Sequence, residues 1–307
     1  MSRFLLRRLL QALPVAWVVV TAVFALLHLV PGDPVEELLG ESPSPADAAA
    51  LRSKLGLDRS LPDQYGSFLA HAVRGDLGSS LHSGQGVSGL IAERWPATFE
   101  LALSSLLVGL TLALPLGVCA ARRSGGLADR AASLLGLCGA SIPTFWLGPM
   151  LILVFGIGLD LLPVAGRNGL TSLVLPAATL GIGISGLLVR MVRVTMREEL
   201  AKPYVLVARA KGIGSWRATL SHALRNALPP VITIVALQFG ALLAGAVVVE
   251  TVFSWPGLGR LLVDSIRWRD YPVVQGVVLV VAASYILANL AADILCAWAD
   301  PRLRVSS

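Results

Sequence analysis

An all-α integral membrane protein with six transmembrane helices and both termini cytoplasmic is the fold class this sequence predicts, and three observations predict it. The 307 residues are 55% hydrophobic and only 14% charged, with a mean hydropathy of +0.74, too apolar for an ordinary soluble domain. Six apolar runs approach or exceed the roughly 20 residues that cross about 30 Å of hydrocarbon as a helix. Lys and Arg are shared unevenly between alternate connections, as the positive-inside rule requires.

The elements follow in order. The first span covers about 9–30, after a basic tip with Arg3, Arg7 and Arg8. It is long for a secretory signal and runs into LVPGDP rather than a small-residue cleavage site, so it reads as retained. Tip and span make one unit, 1–30. Residues 31–96 form a long extracytoplasmic loop. Pro43 and Pro45 in SPSPAD mark a turn, 46–55 and 62–72 read as short helices, and GDLGSS at 75–80 breaks the second of them. The core, 97–297, holds spans at 98–121, 132–158, 172–192, 230–252 and 274–297, with a cytoplasmic connection over 197–228. Residues 298–307 are a cytoplasmic tail. On this topology sixteen of the 25 Lys and Arg lie inside, eight of them within 190–228. The nine outside include five in the 31–96 loop, among nine acidic residues.

Several function classes fall away. The net charge of +6 sits in short loops of a membrane protein, so topology explains it and no nucleic-acid partner is expected. No GxxxxGK[ST] occurs, and GLGR at 257–260 and GIGIS at 181–185 lack the strand–helix context of a phosphate-binding loop. The four histidines, His28, His71, His82 and His222, are scattered without metal-ligand spacing. GISG at 183–186 lies inside a span in the wrong register for a nucleophilic serine. No catalytic residue, metal or cofactor is therefore expected on this chain. Cys119, Cys138 and Cys296 all fall in predicted spans and read as packing residues rather than a disulfide framework.

Polar groups near lipid carry more information, because they are costly there and mark pathways. Glu100, Glu250 and Asp293 qualify, although each stands near a span end where it could reach interface water; Asn289 is a polar neighbour. Gln238 is deeper, and a polar side chain at mid-span faces another helix or a cavity. Gln238 and Glu250 are candidates for lining a path. Trp255, Gly257, Leu258 and Gly259 form a turn (WPGLG) that either gates that path, meets an external partner, or is an ordinary loop turn.

The stretch YVLVARAKGIGSWRATLSHALRNALPP, 204–230, is polar and glycine-broken between two apolar runs. Pro203 can begin a helix, in which Tyr204, Val207, Ala208 and Lys211 have i, i+3, i+4, i+7 spacing. Gly212 and Gly214 break it where φ turns positive or another backbone approaches. Ser215 is a candidate N-cap. Trp216, Leu220, Ala223, Leu224 and Ala227 then make one apolar stripe, with Arg217, Ser221, His222 and Arg225 opposite, and Pro229 and Pro230 are expected to stop the helix. Two short helices, apolar on one face and basic on the other, could simply rest on anionic headgroups of membrane lipid. That reading leaves the glycine break unexplained. A helix pair offered to a groove on a soluble subunit accounts for it.

Here the sequence resembles a known family. Ala208, Gly212 and Leu224 stand in the spacing of the cytoplasmic signature of ABC importer permeases, EAA-x3-G-x9-I-x-L-P. Leu206 replaces its Glu, Val207 its first Ala, His222 its Ile and Arg225 its Pro. Those departures are themselves similar to the dipeptide/oligopeptide/nickel branch, with Y-x3-ARAKG and H-x-LRN, the latter ending in Asn226. LVPGDP, LGLD, GDLGSS, SIPTFWLG, LDLLPVAG, ETVFSWPGLGR, RDYPVVQG and ADPRLR extend the resemblance along nearly the whole chain. It points to the first of the two permeases of such systems.

The resemblance implies a type I ABC importer permease in the bacterial inner membrane. Its implied partners are a second homologous permease, two ABC ATPase subunits that carry ATP and Mg2+, and an extracytoplasmic substrate-binding protein. It makes Tyr204, Ala208, Arg209, Lys211, Gly212, Trp216, His222, Leu224, Arg225 and Asn226 candidates for ATPase coupling, Ala208 and Gly212 by close packing. The substrate class it implies is di- or oligopeptides, with nickel, metal chelates or glutathione as alternatives. A secondary transporter or channel is the alternative from another class, and a membrane-anchored sensor a further one.

Overall fold

The computed structural model describes residues 2–29, 46, 49, 52–53, 58–123 and 125–299. Among them the chain is helical, with one isolated antiparallel bridge between Ser79 and Gly86. The helices are α1 (Ser2–Leu29), α2 (Leu61–Val73), α3 (Val87–Arg122), α4 (Leu127–Ser141), α5 (Thr144–Leu151), α6 (Leu170–Leu200), α7 (Pro203–Ala210), α8 (Ser215–Gly245), α9 (Val247–Val252), α10 (Leu258–Arg267) and α11 (Tyr271–Ala299). α5 continues into a π-helical stretch, Ile152–Gly158. The sequence motifs at 30–34 and 300–304, the SPSPAD turn and the tail beyond 299 lie outside the described residues. Of the short helix expected at 46–55, residues 46, 49 and 52–53 are described and are helical.

Four helices, α3, α6, α8 and Tyr271–Leu295 of α11, are long and apolar enough to cross a membrane. Two shorter apolar stretches, Leu10–Ala25 and Thr144–Gly158, fall where the first and third spans are expected. The continuous third span expected at 132–158 is instead two helices in series, broken at Ile142 and Pro143. Pro143 sits at φ −64, ψ 136, and its ring keeps the preceding residue out of the helical region.

A second expectation reverses at Pro229 and Pro230, which do not stop a helix; α8 runs through both. A proline inside a helix removes a donor and presses on the carbonyl four residues back. Those carbonyls, of Arg225 and Asn226, follow directly on a π-helical turn, Ala218–Leu224, whose wider winding gives the rings room.

The core lies between α3, α6 and α8. Leu101, Ala102 and Leu106 of α3 bury against Leu173, Leu175 and Leu180 of α6 and Leu242 and Leu243 of α8. Where α3 and α6 cross, small residues let the backbones approach. A Cβ on Gly117 would stand 2.6 Å from Val192 Cγ1, and one on Gly181 2.7 Å from Val108 Cβ. Cys119 of α3 is exposed, so it is not the packing residue expected; the side chains of Cys138 and Cys296 are outside the described set.

The peripheral helices are held by polar links. Arg8 of α1 pairs with Asp293 of α11 at 3.1 Å, and Arg167 takes up Glu100 at 2.6 Å. Phe24 of α1 meets Tyr65 and Phe68 of α2, which seats α2 over the end of α1. Asp270 receives Ser80 Oγ at 2.5 Å and the Leu81 amide at 3.1 Å, and His82 stacks on Trp268, so the segment before α3 is fastened to the start of α11.

Asp129 in the first turn of α4 accepts the Gly125 N–H at 2.8 Å and pairs with Arg193 of α6 at 2.5 Å. The Gly125 amide, then the Arg193 guanidinium, hold its carboxyl below the usual range. A carboxylate with a depressed native pKa stabilises the fold above its unfolded value and loses that contribution as pH falls. The start of α4 is therefore expected to stay closed on α6 at neutral pH and to loosen as pH drops below the ordinary value of 3.8. Hydrogen exchange at 125–133 across that range, with Asp129→Asn loose at every pH, is the measurement.

Candidate functional site

Two groups of sequence-predicted residues gather at opposite ends of α3. At the Arg122 end, α6 leaves the bundle and the chain turns through α7 into α8. Glu199 accepts from Lys202 Nζ at 2.6 Å and from the Tyr204 hydroxyl at 2.7 Å. Asn226 donates to the same hydroxyl. Tyr204 thus joins α6, α7 and α8, with its phenol pushed up first by burial. The Glu199 carboxylate holds the Lys202 ammonium above its usual range.

α7 starts on Pro203, as expected, and ends on Gly212 at φ +85. The Gly212 N–H donates to Arg209 O at 3.0 Å and the Ile213 N–H to Ala208 O at 3.2 Å. These are the paired bonds of a glycine-terminated helix, in which a left-handed residue closes the last turn. The face differs from the expected one. Val205 and Ala208 are buried, with Tyr204 and Ile213 packed nearby, whereas Val207 is 53% exposed and Lys211 is exposed. Ala208 is small where α7 lies close on its own bundle, packed with Val205 against the core of this chain. Gly212 meets nothing within 4 Å of where a Cβ would be.

Ser215 is not the cap of α8. Gly214 takes that position in an extended conformation, and Ser215 Oγ accepts instead from Arg122 Nη2 at 3.2 Å. The Arg122 guanidinium also lies 3.7 Å over the Trp216 ring. The predicted apolar stripe is rotated by the π-turn, whose winding carries more residues per turn than an α-helix. Ala218, Thr219, Ala223 and Ala227 are buried, while Trp216 and Leu220 are half-exposed. His222 and Leu224 are half-buried, and Arg225 and Asn226 exposed. The surface offered outward is apolar at Leu206, Val207, Trp216 and Leu220, with Arg209 and Lys211 exposed beside it.

At the other end of α3 the WPGLG turn closes on a carboxylate. Glu250 of α9 is fully buried, as are Trp255 and Thr98. Thr98 donates to Glu250 Oε1 at 2.6 Å and accepts the Leu258 N–H at 2.8 Å. The Arg260 N–H reaches Oε2 at 3.0 Å, and the Gly259 amide donates as well. Trp255 Nε1 donates to Ala97 O at 2.8 Å. The turn is thus bound by side-chain and backbone bonds to α3 and α9. Gly257 and Gly259 are glycines because nothing larger fits: a Cβ would stand 2.3 Å from Glu250 Oε1 at Gly257 and 2.6 Å from Val247 Cα at Gly259. Gln238 is half-buried on α8 and makes no described hydrogen bond to either group.

Sequence reasoning missed Thr98 and Arg122. Thr98 precedes by two residues the acid that drew attention, Glu100, and its partner lies 152 positions away. Among the described residues no group of three or more His, Cys, Asp or Glu is placed to hold a metal ion.

Comparison with known proteins adds identity to this geometry. Residues 113–305 match the family described as binding-protein-dependent transport system inner membrane component, and residues 1–102 match its N-terminal region. The chain is 40% identical over 304 residues to the glutathione transport system permease protein GsiC of Pectobacterium atrosepticum, covering 99% of each. It is 41% identical to the di/tripeptide transport system permease protein DppB of Pseudomonas aeruginosa and 40% identical to the dipeptide permease DppB of Escherichia coli K12, again over 99% of each chain. Among solved structures, an inward-facing MetNI methionine ABC transporter aligns with a TM-score of 0.58 at 21% identity, over 69% of this chain and 96% of that one. That likeness concerns the fold.

Proposed function

Because the chain belongs to the family of binding-protein-dependent transport system inner membrane components, we propose that this permease conducts small peptides. It is a multi-pass permease subunit of an ABC importer in the bacterial inner membrane. The observation that carries the substrate class is identity near 40%, end to end, with permeases named for di- and tripeptides and for glutathione, itself a tripeptide.

The working arrangement has six spans with both termini cytoplasmic, a core over 97–297, and the 31–96 loop outside. A second homologous permease completes the pathway, two ATPase subunits hold ATP and Mg2+, and a binding protein delivers substrate from outside. This chain hydrolyses nothing. The exposed face of Leu206, Val207, Arg209, Lys211, Trp216 and Leu220 sits in a groove of one ATPase. Gly212, at the closing turn, sets its angle, and Tyr204 ties it to the bundle through Glu199 and Asn226. ATP-driven closure moves this segment, and the bundle alternates between inward-facing and outward-facing states. The Glu250 group keeps the WPGLG turn in place on the opposite side, where it gates the path.

Vesicles holding the full set of subunits are expected to accumulate labelled dipeptide or glutathione only with ATP inside and binding protein outside. Nickel uptake without peptide uptake would move the substrate to the metal branch. Uptake that follows an ion gradient without ATP would overturn the importer reading.

A further inference from the structure

Away from both groups, a cavity of about 250 Å3 opens between α1, α2 and α11, under the segment that follows α2. We propose that it holds the headgroup and upper acyl chain of a zwitterionic phospholipid, a phosphodiester with a primary ammonium. Its walls divide by chemistry. Phe24 of α1, Phe68 of α2 and Leu279 of α11 supply apolar surface, while Arg59, His71 and Asp76 supply the polar part. The apolar side adjoins α1, on which Leu13, Val15, Trp17 and Val18 are all more than half exposed. A ligand apolar at one end and charged at the other fits such a lining.

The polar part selects the headgroup. Arg59 makes no side-chain bond among the described residues, and guanidinium groups suit phosphate oxygens. His71 Nδ1 lies 2.7 Å from the Ser67 carbonyl, which assigns it as the donor there and leaves Nε2 as the other polar atom of the ring. Asp76 accepts the Gly78 N–H through Oδ1 at 3.0 Å and keeps Oδ2. A cation and an anion on one cavity match a headgroup that carries both charges, which phosphatidylglycerol does not. The site lies off the proposed path, on the helices that pack outside the α3–α6–α8 core, so the lipid mortars α1 and α2 to α11.

The test uses the complete transporter in nanodiscs of phosphatidylethanolamine and phosphatidylglycerol, with phosphatidylethanolamine bearing a photoreactive group near the top of one acyl chain. Labelling is expected within 61–73 and 272–279. It should fall about tenfold in Arg59→Gln, the loss expected for one charge-assisted bond, and in Ala72→Trp, which fills the space, while ATP hydrolysis stays unchanged. The same photoreactive group on phosphatidylglycerol should label these segments several-fold less. Equal labelling by the two lipids, or unchanged labelling in both variants, would overturn the proposal. Displacement of the probe by inorganic phosphate or by glycylglycine would overturn it too, assigning the cavity to a free anion or a peptide.

Discussion

Glu250→Ala is expected to lower the stability of the assembled transporter by about 3–5 kcal/mol, from two or three buried donors that each cost about 1–3 kcal/mol when left unpaired. The Thr98 hydroxyl and the amides of Gly259 and Arg260 all turn toward this carboxylate, in a place without exposed surface. Removing it also frees the WPGLG turn, because Gly257 and Gly259 lie against the space the side chain fills. Uptake should be lost with the stability. Glu250→Gln keeps the shape and one acceptor oxygen, and should fall between wild type and Ala. Heat-induced unfolding of the purified complex reads the first effect and vesicle uptake the second; wild-type behaviour of Glu250→Ala in both would show that the buried group is idle.

The second large effect is uncoupling by Gly212→Glu. The position is left-handed, so any ordinary side chain strains the backbone, by about 1 kcal/mol for Ala. Nothing crowds the new side chain within its own chain, so it points from the turn toward whatever covers this face. The complex should insert and assemble but lose at least about tenfold of its uptake, with ATP hydrolysis no longer answering to loaded binding protein. Gly212→Asn is the control, since Asn enters the left-handed region readily, and it should transport nearly as wild type. Normal uptake by an assembled Gly212→Glu complex would separate this turn from coupling.

The architecture was legible where it depends on local chemistry. Hydropathy marked the four long helices, Pro203 the start of α7, and Gly212 its end, because each of these follows from one residue type in one backbone state. The winding of α8 was not legible. Proline normally ends a helix, and a 3.6-residue period puts Trp216 and Leu220 with Ala223; a single π-turn changes both results, and no residue in ATLSHAL announces it. The Glu250 group was half legible. A costly acid and a glycine-rich turn close together drew notice, yet their meeting with Thr98 depends on how α3 packs, which no local pattern contains.

α3 reaches from one group to the other: Ala97 and Thr98 hold the Trp255–Glu250 end, and Arg122 grips Ser215 and Trp216. The 24 residue steps from Thr98 to Arg122 measure about 36 Å along the axis. A rod of that length is a lever arm. A tilt of about 5° imposed at the Arg122 end would carry the far end through on the order of 3 Å, the length of a hydrogen bond and enough to pull Thr98 off its carboxylate. Pro115 stands inside the rod, nearer the Arg122 end, and takes one bond out of its spine. The displacement that arrives at the Trp255–Glu250 end therefore depends on how stiff the helix remains at that point.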